Sequence, residues 1–266
     1  MEFQKKDHYN VNDLIEIMKM LRQPDGCPWD REQTHESIRQ NFIEETYEAV
    51  EAIDTKDTEL LKEELGDVLM QVVFHSLMEE EAGNFDFSDV ADGVCQKLII
   101  RHPHVFGNVV ADDSEQVLKN WDAIKMQTKS QKTQSEAMES VSKALPALMR
   151  SQKVQKKAAK AGFDWDNVSG ALDKVSEETE ELRQAIAGNQ QEQWLEELGD
   201  LLFSVVNVSR FLNLDSEYAL TMACDKFVRR FQSVEFLASQ RGINMKEASL
   251  EQLDVLWDEV KGHSQR

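Results

Sequence analysis

Two strings of acidic residues stand at matching intervals in this chain. Glu44, Glu45 and Glu48 form EExxE, and Glu64 with Asp67 forms ExxD, Glu64 following Glu48 by sixteen positions. Glu177, Glu178 and Glu181, then Glu197 and Asp200, repeat the arrangement at the same interval. On a helix, residues three apart share a face, so Glu45 projects with Glu48 and Glu64 with Asp67. If the two helices lie side by side, four carboxylates converge. Such a group repels itself unless a cation sits between its members, and oxygen ligands without His or Cys suit Mg²⁺ or Mn²⁺ better than zinc or iron.

A single EExxE is ordinarily a solvated helix face with salt bridges to neighbouring turns. Repetition changes that reading. Residues 44 to 76 and 177 to 209 align without gaps at an offset of 133, with 16 identities in 33 positions, and every acid of the pattern is kept. Outside this block, PWD at 28 to 30 resembles DWD at 164 to 166, Lys97 with Arg101 matches Lys226 with Arg230, and WDAIK at 121 to 125 matches WDEVK at 257 to 261. Two homologous domains follow, residues 1 to 125 and 141 to 266, joined by a polar linker over 126 to 140. A di-iron carboxylate bundle would need Glu-x-x-His motifs. His75 stands eight residues beyond Asp67, and the second copy has Val208 at that position.

The elements that must position these acids are helices. Apolar residues recur at intervals of three and four, Pro24, Pro28, Pro103 and Pro146 are the only prolines, and no window alternates as a strand does. The fold class is therefore all-α, two tandem helical bundles. Ser37, Ser169 and Ser176 mark candidate helix starts. Val68, Leu69, Val72, Val73 and Leu77, matched by Leu201, Leu202, Val205, Val206 and Val208, wrap so far around the EELGD helix that it should be largely buried. Gly66 and Gly199 cost about 1 kcal/mol each inside a helix, which predicts a second backbone packed against them.

Composition removes several function classes. A formal net charge of -20 over 266 residues leaves no basic surface for a nucleic-acid polymer, although a few local cations still suffice for a small phosphate ligand. No apolar run has the length of a membrane span, the N-terminus lacks the apolar core of a signal peptide, and three cysteines imply no disulfide framework, so a cytoplasmic location is expected. The apolar wrap of the EELGD helices predicts a homodimer that covers it.

Cations complete the pattern. Lys97 with Arg101 and Lys226 with Arg230 each stand one helical turn apart, and Trp121 with Lys125 is echoed by Trp257 with Lys261. Taken singly, each pair is what a snorkelling surface side chain looks like; together they fit phosphates and a stacked base.

With GCPWDREQTH, EETYE, EELGD and KLIIRHPHVFG in the first half and GFDWD, SEETEE, EELGD, KFVRRF and WDEVK in the second, the whole chain resembles the MazG family of nucleoside triphosphate pyrophosphohydrolases. The resemblance implies Mg²⁺-dependent attack of water on the α-phosphorus of a nucleoside triphosphate, releasing monophosphate and pyrophosphate, with broad housecleaning specificity. It implies Glu178, Glu181, Glu197 and Asp200 as metal ligands, Glu45, Glu48, Glu64 and Asp67 as their first-unit counterparts, and Lys226, Arg230, Trp257 and Lys261 as nucleotide ligands. Glu44 or Glu177 would orient the water.

The two copies differ in charge. Lys174 precedes Glu178 by one turn where the first unit has Asn41, and Arg229 stands where the first has Ile100, so residues 141 to 266 are expected to carry most of the hydrolysis. The rival reading is a helical scaffold or regulatory nucleotide-binding protein in which one or both units lack catalysis.

Overall fold

The computed structural model describes residues 3–109, 113, 116–117, 120–121, 124 and 133–263. Every regular element among them is a helix, and none is long and apolar enough to cross a membrane. Contacts divide the chain into two compact units, residues 1–125 and 126–266.

The first unit begins with α1, Val11–Arg22, closed at its N-terminus by a reciprocal capping box between Asn10 and Asp13. A short α2, Pro28–Glu32, leads into α3, Arg39–Thr55. Lys56 adopts the left-handed conformation at φ 59° and ends α3, and the Asp57 carboxylate caps α4, Thr58–Glu81. This tight reversal lays α3 against α4 and gives the acids their common side. α5, Phe87–Arg101, and α6, Pro103–Phe106, follow.

The core lies at the far end of α4, where Val73, Phe74, Leu77 and Met78 pack with Met18 of α1 and Ile38 ahead of α3. Arg22 ties these elements together. Its Nε and Nη2 each donate to Glu81 at 2.7 Å, Nη1 donates to the Asp30 carbonyl at 2.6 Å, and the guanidinium covers the Phe74 ring.

A histidine pair adds a second clamp. His35, in the loop before α3, places Nδ1 2.7 Å from His75 Nδ1 and Nε2 2.7 Å from Glu79 Oε1, while Asn84 donates to the other Glu79 oxygen at 2.6 Å. Ring centroids only 5.0 Å apart, with planes within 5°, make the imidazoles edge to edge and the N···N contact nearly straight. One proton lies on that line, because two protonated Nδ1 atoms would clash.

The second unit contains α7, Gln134–Glu139, α8, Ala147–Lys160, α9, Val168–Ala187, α10, Gln191–Phe211, α11, Ser216–Gln240, and α12, Leu250–His263. α9 and α10 form the counterpart of the α3–α4 pair. Trp194 Nε1 donates to the Ala185 carbonyl at 3.0 Å across the reversal between them. A separate cluster, Val234, Ala238, Leu256 and Val260, joins α11 to α12.

Four expectations from the sequence are corrected. Residues 134 to 139, within the stretch read as a linker, are helical, with Ala137 buried. The helices start at neighbours of the expected serines: Ile38 occupies the N-cap of α3 and Asn167 that of α9. The EELGD helices are less buried than their apolar content suggested. Along α10, Val206 is buried while Leu202 is 51% and Phe203 42% exposed, because the neighbours of α10 within the unit cover only part of its circumference. Finally, a Cβ added at Gly66 or Gly199 would meet nothing within 4 Å, so neither glycine is required by packing among the described residues.

The histidine clamp predicts a pH response. Burial, followed by the neighbouring His35, lowers the His75 pKa below its ordinary 6.5. The unfolded chain therefore takes up the proton first. The clamp's contribution is complete above pH 6.5 and is lost as pH falls towards the depressed folded-state value. His75→Val, which installs the second unit's residue, is expected to flatten the fall in urea midpoint between about pH 7 and 5. A fall as steep as wild type would disprove the clamp.

Candidate metal and nucleotide site

In the first unit, α3 presents Glu45 and Glu48 on successive turns and α4 presents Glu64. One carboxylate oxygen from each lies within 4.8 Å of the others. Glu64 is buried, and its Oε2 has no hydrogen-bond partner among the described residues. Burial first, then the charges of Glu48, Asp67 and Glu45, raise its carboxyl above the usual range. Glu45 is raised likewise, by burial and then by Asp67 and Glu48. Asp67 thus acts on the cluster electrostatically although it stands outside the closest group of three.

The second unit gathers Glu178, Glu197 and Asp200 within the same 4.8 Å limit, with Glu178 buried, Glu197 half-buried and Asp200 exposed. Glu181 adjoins them, its carboxyl raised first by a hydrogen bond with Glu178 and then by burial. Lys174 places Nζ 2.8 Å from Glu177 and 2.7 Å from Glu178. Those two contacts raise its own pKa. Glu178 is therefore a buried carboxylate with a built-in counter-cation, whereas Glu64 is a buried carboxylate without one. In the first unit Glu44 accepts a long hydrogen bond, 3.3 Å, from Gln40.

These donor sets fit a hard divalent cation. Ligand oxygens about 2.1 Å from an octahedral ion stand about 3 to 4 Å apart, so three oxygens within 4.8 Å need little movement to share one. The unpartnered Glu64 oxygen is the atom that most needs such a partner.

The remaining residues expected at the site are placed as follows. Lys226 is exposed and Arg230 half-buried on α11, and neither makes an ion pair among the described residues. Lys97 is exposed on α5. Arg101 lies over the Trp121 ring, 5.5 Å from its centroid, and His102 meets the same ring edge-on at 4.8 Å. Trp257 packs against the α11–α12 core with its ring tilted onto Phe227, and Lys261 pairs with Asp258 at 2.7 Å. Lys125 lies outside the described residues. The Lys174–Glu177 contact was legible from its spacing of three, but the burial difference between Glu178 and Asp200 was not.

Comparison with known proteins identifies the family of both helix pairs. Residues 33–106 and 167–235 each match the family described as the MazG nucleotide pyrophosphohydrolase domain, and each match spans one pair of acid-bearing helices. A Thermotoga maritima protein named nucleoside triphosphate pyrophosphohydrolase/pyrophosphatase MazG is 46% identical over 94% of this chain and 95% of its own length. The Escherichia coli K12 nucleoside triphosphate pyrophosphohydrolase is 44% identical, over 94% of this chain and 97% of its own length. A Bacillus subtilis protein named uncharacterized protein YabN is 46% identical over 97% of this chain, which corresponds to 53% of that protein.

Crowded carboxylates predict a stability signature. A carboxyl raised in the folded state favours folding at low pH and opposes it as pH rises above the ordinary value of 4.5. Millimolar Mg²⁺ is therefore expected to raise the thermal midpoint more at pH 7.5 than at pH 5, and Glu64→Gln to raise the metal-free midpoint of the first unit while shrinking its Mg²⁺ increment. A midpoint indifferent to both changes would rule out a cation site at Glu64.

Proposed function

The chain belongs to the MazG nucleotide pyrophosphohydrolase family, and from that premise we propose that it hydrolyses nucleoside triphosphates to nucleoside monophosphate and pyrophosphate with Mg²⁺, or Mn²⁺ in its place. The observation that carries this reading is the convergence of Glu178, Glu197 and Asp200 beside Lys174. Carboxylates alone would repel a polyphosphate. With a divalent cation and Lys174 they make a locally attractive site on a chain whose formal net charge is -20.

A divalent cation, when bound, supplies positive charge against the phosphate oxygens and a lowered pKa for the attacking water. Everything else falls to the chain. Glu178, Glu197 and Asp200, with Glu181 adjoining, hold the cation. Lys174, already fixed by two carboxylates, sits one turn from Glu178 and supplies charge to the phosphates. We assign the orientation of the water to Glu177, whose carboxylate is paired with Lys174. Lys226, Arg230 and Lys261 take phosphate oxygens, with Trp257 beside them, and Lys97, Arg101, Trp121 and Lys125 are their first-unit counterparts. The first unit has four acids but Asn41 in place of Lys174, so we assign most of the turnover to the second. Broad specificity towards canonical and damaged nucleotides, acting in the cytoplasm, is the matching physiological role.

We further infer a homodimer. Leu198, Leu202 and Val205, four and three residues apart on α10, form an exposed apolar stripe that solvent disfavours and a second copy would cover.

Two measurements test these readings. Product analysis over a panel of triphosphates should give monophosphate and pyrophosphate, with Glu197→Ala or Asp200→Ala costing about a hundredfold or more and Glu64→Ala much less; primary release of orthophosphate, or equal losses in both units, would overturn the mechanism or the assignment. Light scattering at micromolar concentration should give twice the chain mass of 30.6 kDa, and Leu202→Glu should lower it; a monomer in wild type contradicts the dimer.

A further inference from the structure

α8 bears a stripe of positive charge on a chain whose formal net charge is -20. Although 50 of the 266 residues are Asp or Glu, none stands between Glu139 and Asp164, and the helix between them holds Arg150, Lys153, Lys156, Lys157 and Lys160. At about 100° per residue these side chains fall within an arc of about 120°. The opposite side of α8 faces the unit. Gln155 is buried and donates to the Phe203 carbonyl of α10 at 2.7 Å, and Gln152 donates to the Leu214 carbonyl at 2.7 Å. The cations thus face outward: Arg150, Lys153, Lys156 and Lys160 are exposed and Lys157 is half-buried. Arg150, Lys153, Lys156 and Lys157 pair with no carboxylate among the described residues. α7 packs beside α8 and brings Glu136 and Glu139, yet neither pairs with these four. Glu217 of α11 turns its carboxylate to the Met149 amide instead, at 3.3 Å.

The helix gains little from this stripe. Lys157 and Lys160 in the last turn suit the helix dipole, but Arg150, at the end of the first turn, does not. Like charges three and four residues apart also oppose helix formation. The first unit shows the contrast. There α1 takes the corresponding place, packed on α4 as α8 is packed on α10. Its Lys19 and Arg22 are both neutralised, by Glu80 at 2.8 Å and Glu81 at 2.7 Å. At the offset of 133 the second unit has Asn213 and Leu214 in place of those two acids. One copy balances its cations from within; the other carries more of them and leaves them facing solvent.

We propose that the outer face of α8 is a docking surface for an acidic protein segment, a helix of about three turns with Asp or Glu along one side. Length favours this partner. Arg150 to Lys160 covers about 15 Å, so a nucleic-acid polymer would run past both ends onto a strongly acidic chain, whereas a short acidic segment matches the stripe charge for charge. The proposal does not rest on the triphosphate site.

The test is fluorescence anisotropy with the full chain and labelled probes: an alanine-rich helical peptide with glutamates along one face, a peptide of the same composition with the glutamates spread around the helix, and a single-stranded oligonucleotide of equal charge. The one-faced peptide should bind and weaken as salt rises, because screening shortens the reach of each charge. The spread peptide should bind about tenfold more weakly. Arg150→Glu, Lys153→Glu and Lys156→Glu together should abolish binding. The matching triple glutamine variant, which relieves like-charge repulsion and should keep the wild-type thermal midpoint, should weaken it about tenfold. Chain mass by light scattering should be the same in the glutamine variant as in wild type. No binding of the one-faced peptide, equal affinity for both peptides, or undiminished affinity in the glutamine variant would each overturn the proposal. So would tighter binding of the oligonucleotide, which would make the stripe a nucleic-acid surface, or a lower mass in the variant, which would make it an interface between copies.

Discussion

Mutual repulsion among carboxylates crowded around one buried member is the constraint on which the rest of this structure depends. Glu45, Glu48 and Glu64 in one unit, and Glu178, Glu197 and Asp200 in the other, are held within 4.8 Å by helices that reverse on a few residues. Burial raises Glu45 and Glu64, and their neighbours add to it. A fold gains nothing from this arrangement by itself. The cores that hold each unit together lie at a distance from the acids, around Val73 and Phe74 in the first unit and around Val234 and Leu256 in the second. In the first unit core and acids thus share one helix, α4, whereas in the second this cluster lies on α11 and α12 and the acids on α9 and α10.

The two units resolve the repulsion differently. In the second, Lys174 stands between Glu177 and Glu178 and supplies one positive charge from within the helix. In the first no such cation is present at Asn41, and Glu64 keeps an unpartnered oxygen. The first unit instead holds the His35–His75–Glu79 chain, which the second lacks because Val208 replaces His75. Duplication has left one framework with two specialisations: a cation next to the acids in one copy, a protonatable clamp at the core in the other.

Much of this was legible in the sequence, for identifiable reasons. Spacings of three and four on a helix fix which side chains share a face whatever the tertiary context, so the Glu45–Glu48 and Lys174–Glu178 relations followed directly. The repeat made chance clustering untenable and gave the two helical units. Burial was less legible. Leu202 and Phe203 look like core residues by type, but whether they are covered depends on which neighbours reach α10, and composition does not encode that. Gly199 was read as a close-packing signal, whereas its Cβ position is open among the described residues. The His35–His75 contact joins residues forty apart, and the Trp165–Gly170 contact needs the path of the loop between α8 and α9. Neither has a periodic signature.

The central claim is that each acid cluster holds a divalent cation. Electron paramagnetic resonance of Mn²⁺ titrated into the full chain tests it directly, because free and bound Mn²⁺ give distinct signals without any need for turnover. The account predicts bound Mn²⁺ in both units of the wild type, with Glu64→Ala removing the first unit's share and Glu197→Ala the second's, each leaving the other intact. Mn²⁺ that stays free, or binding that survives both substitutions together, would contradict it.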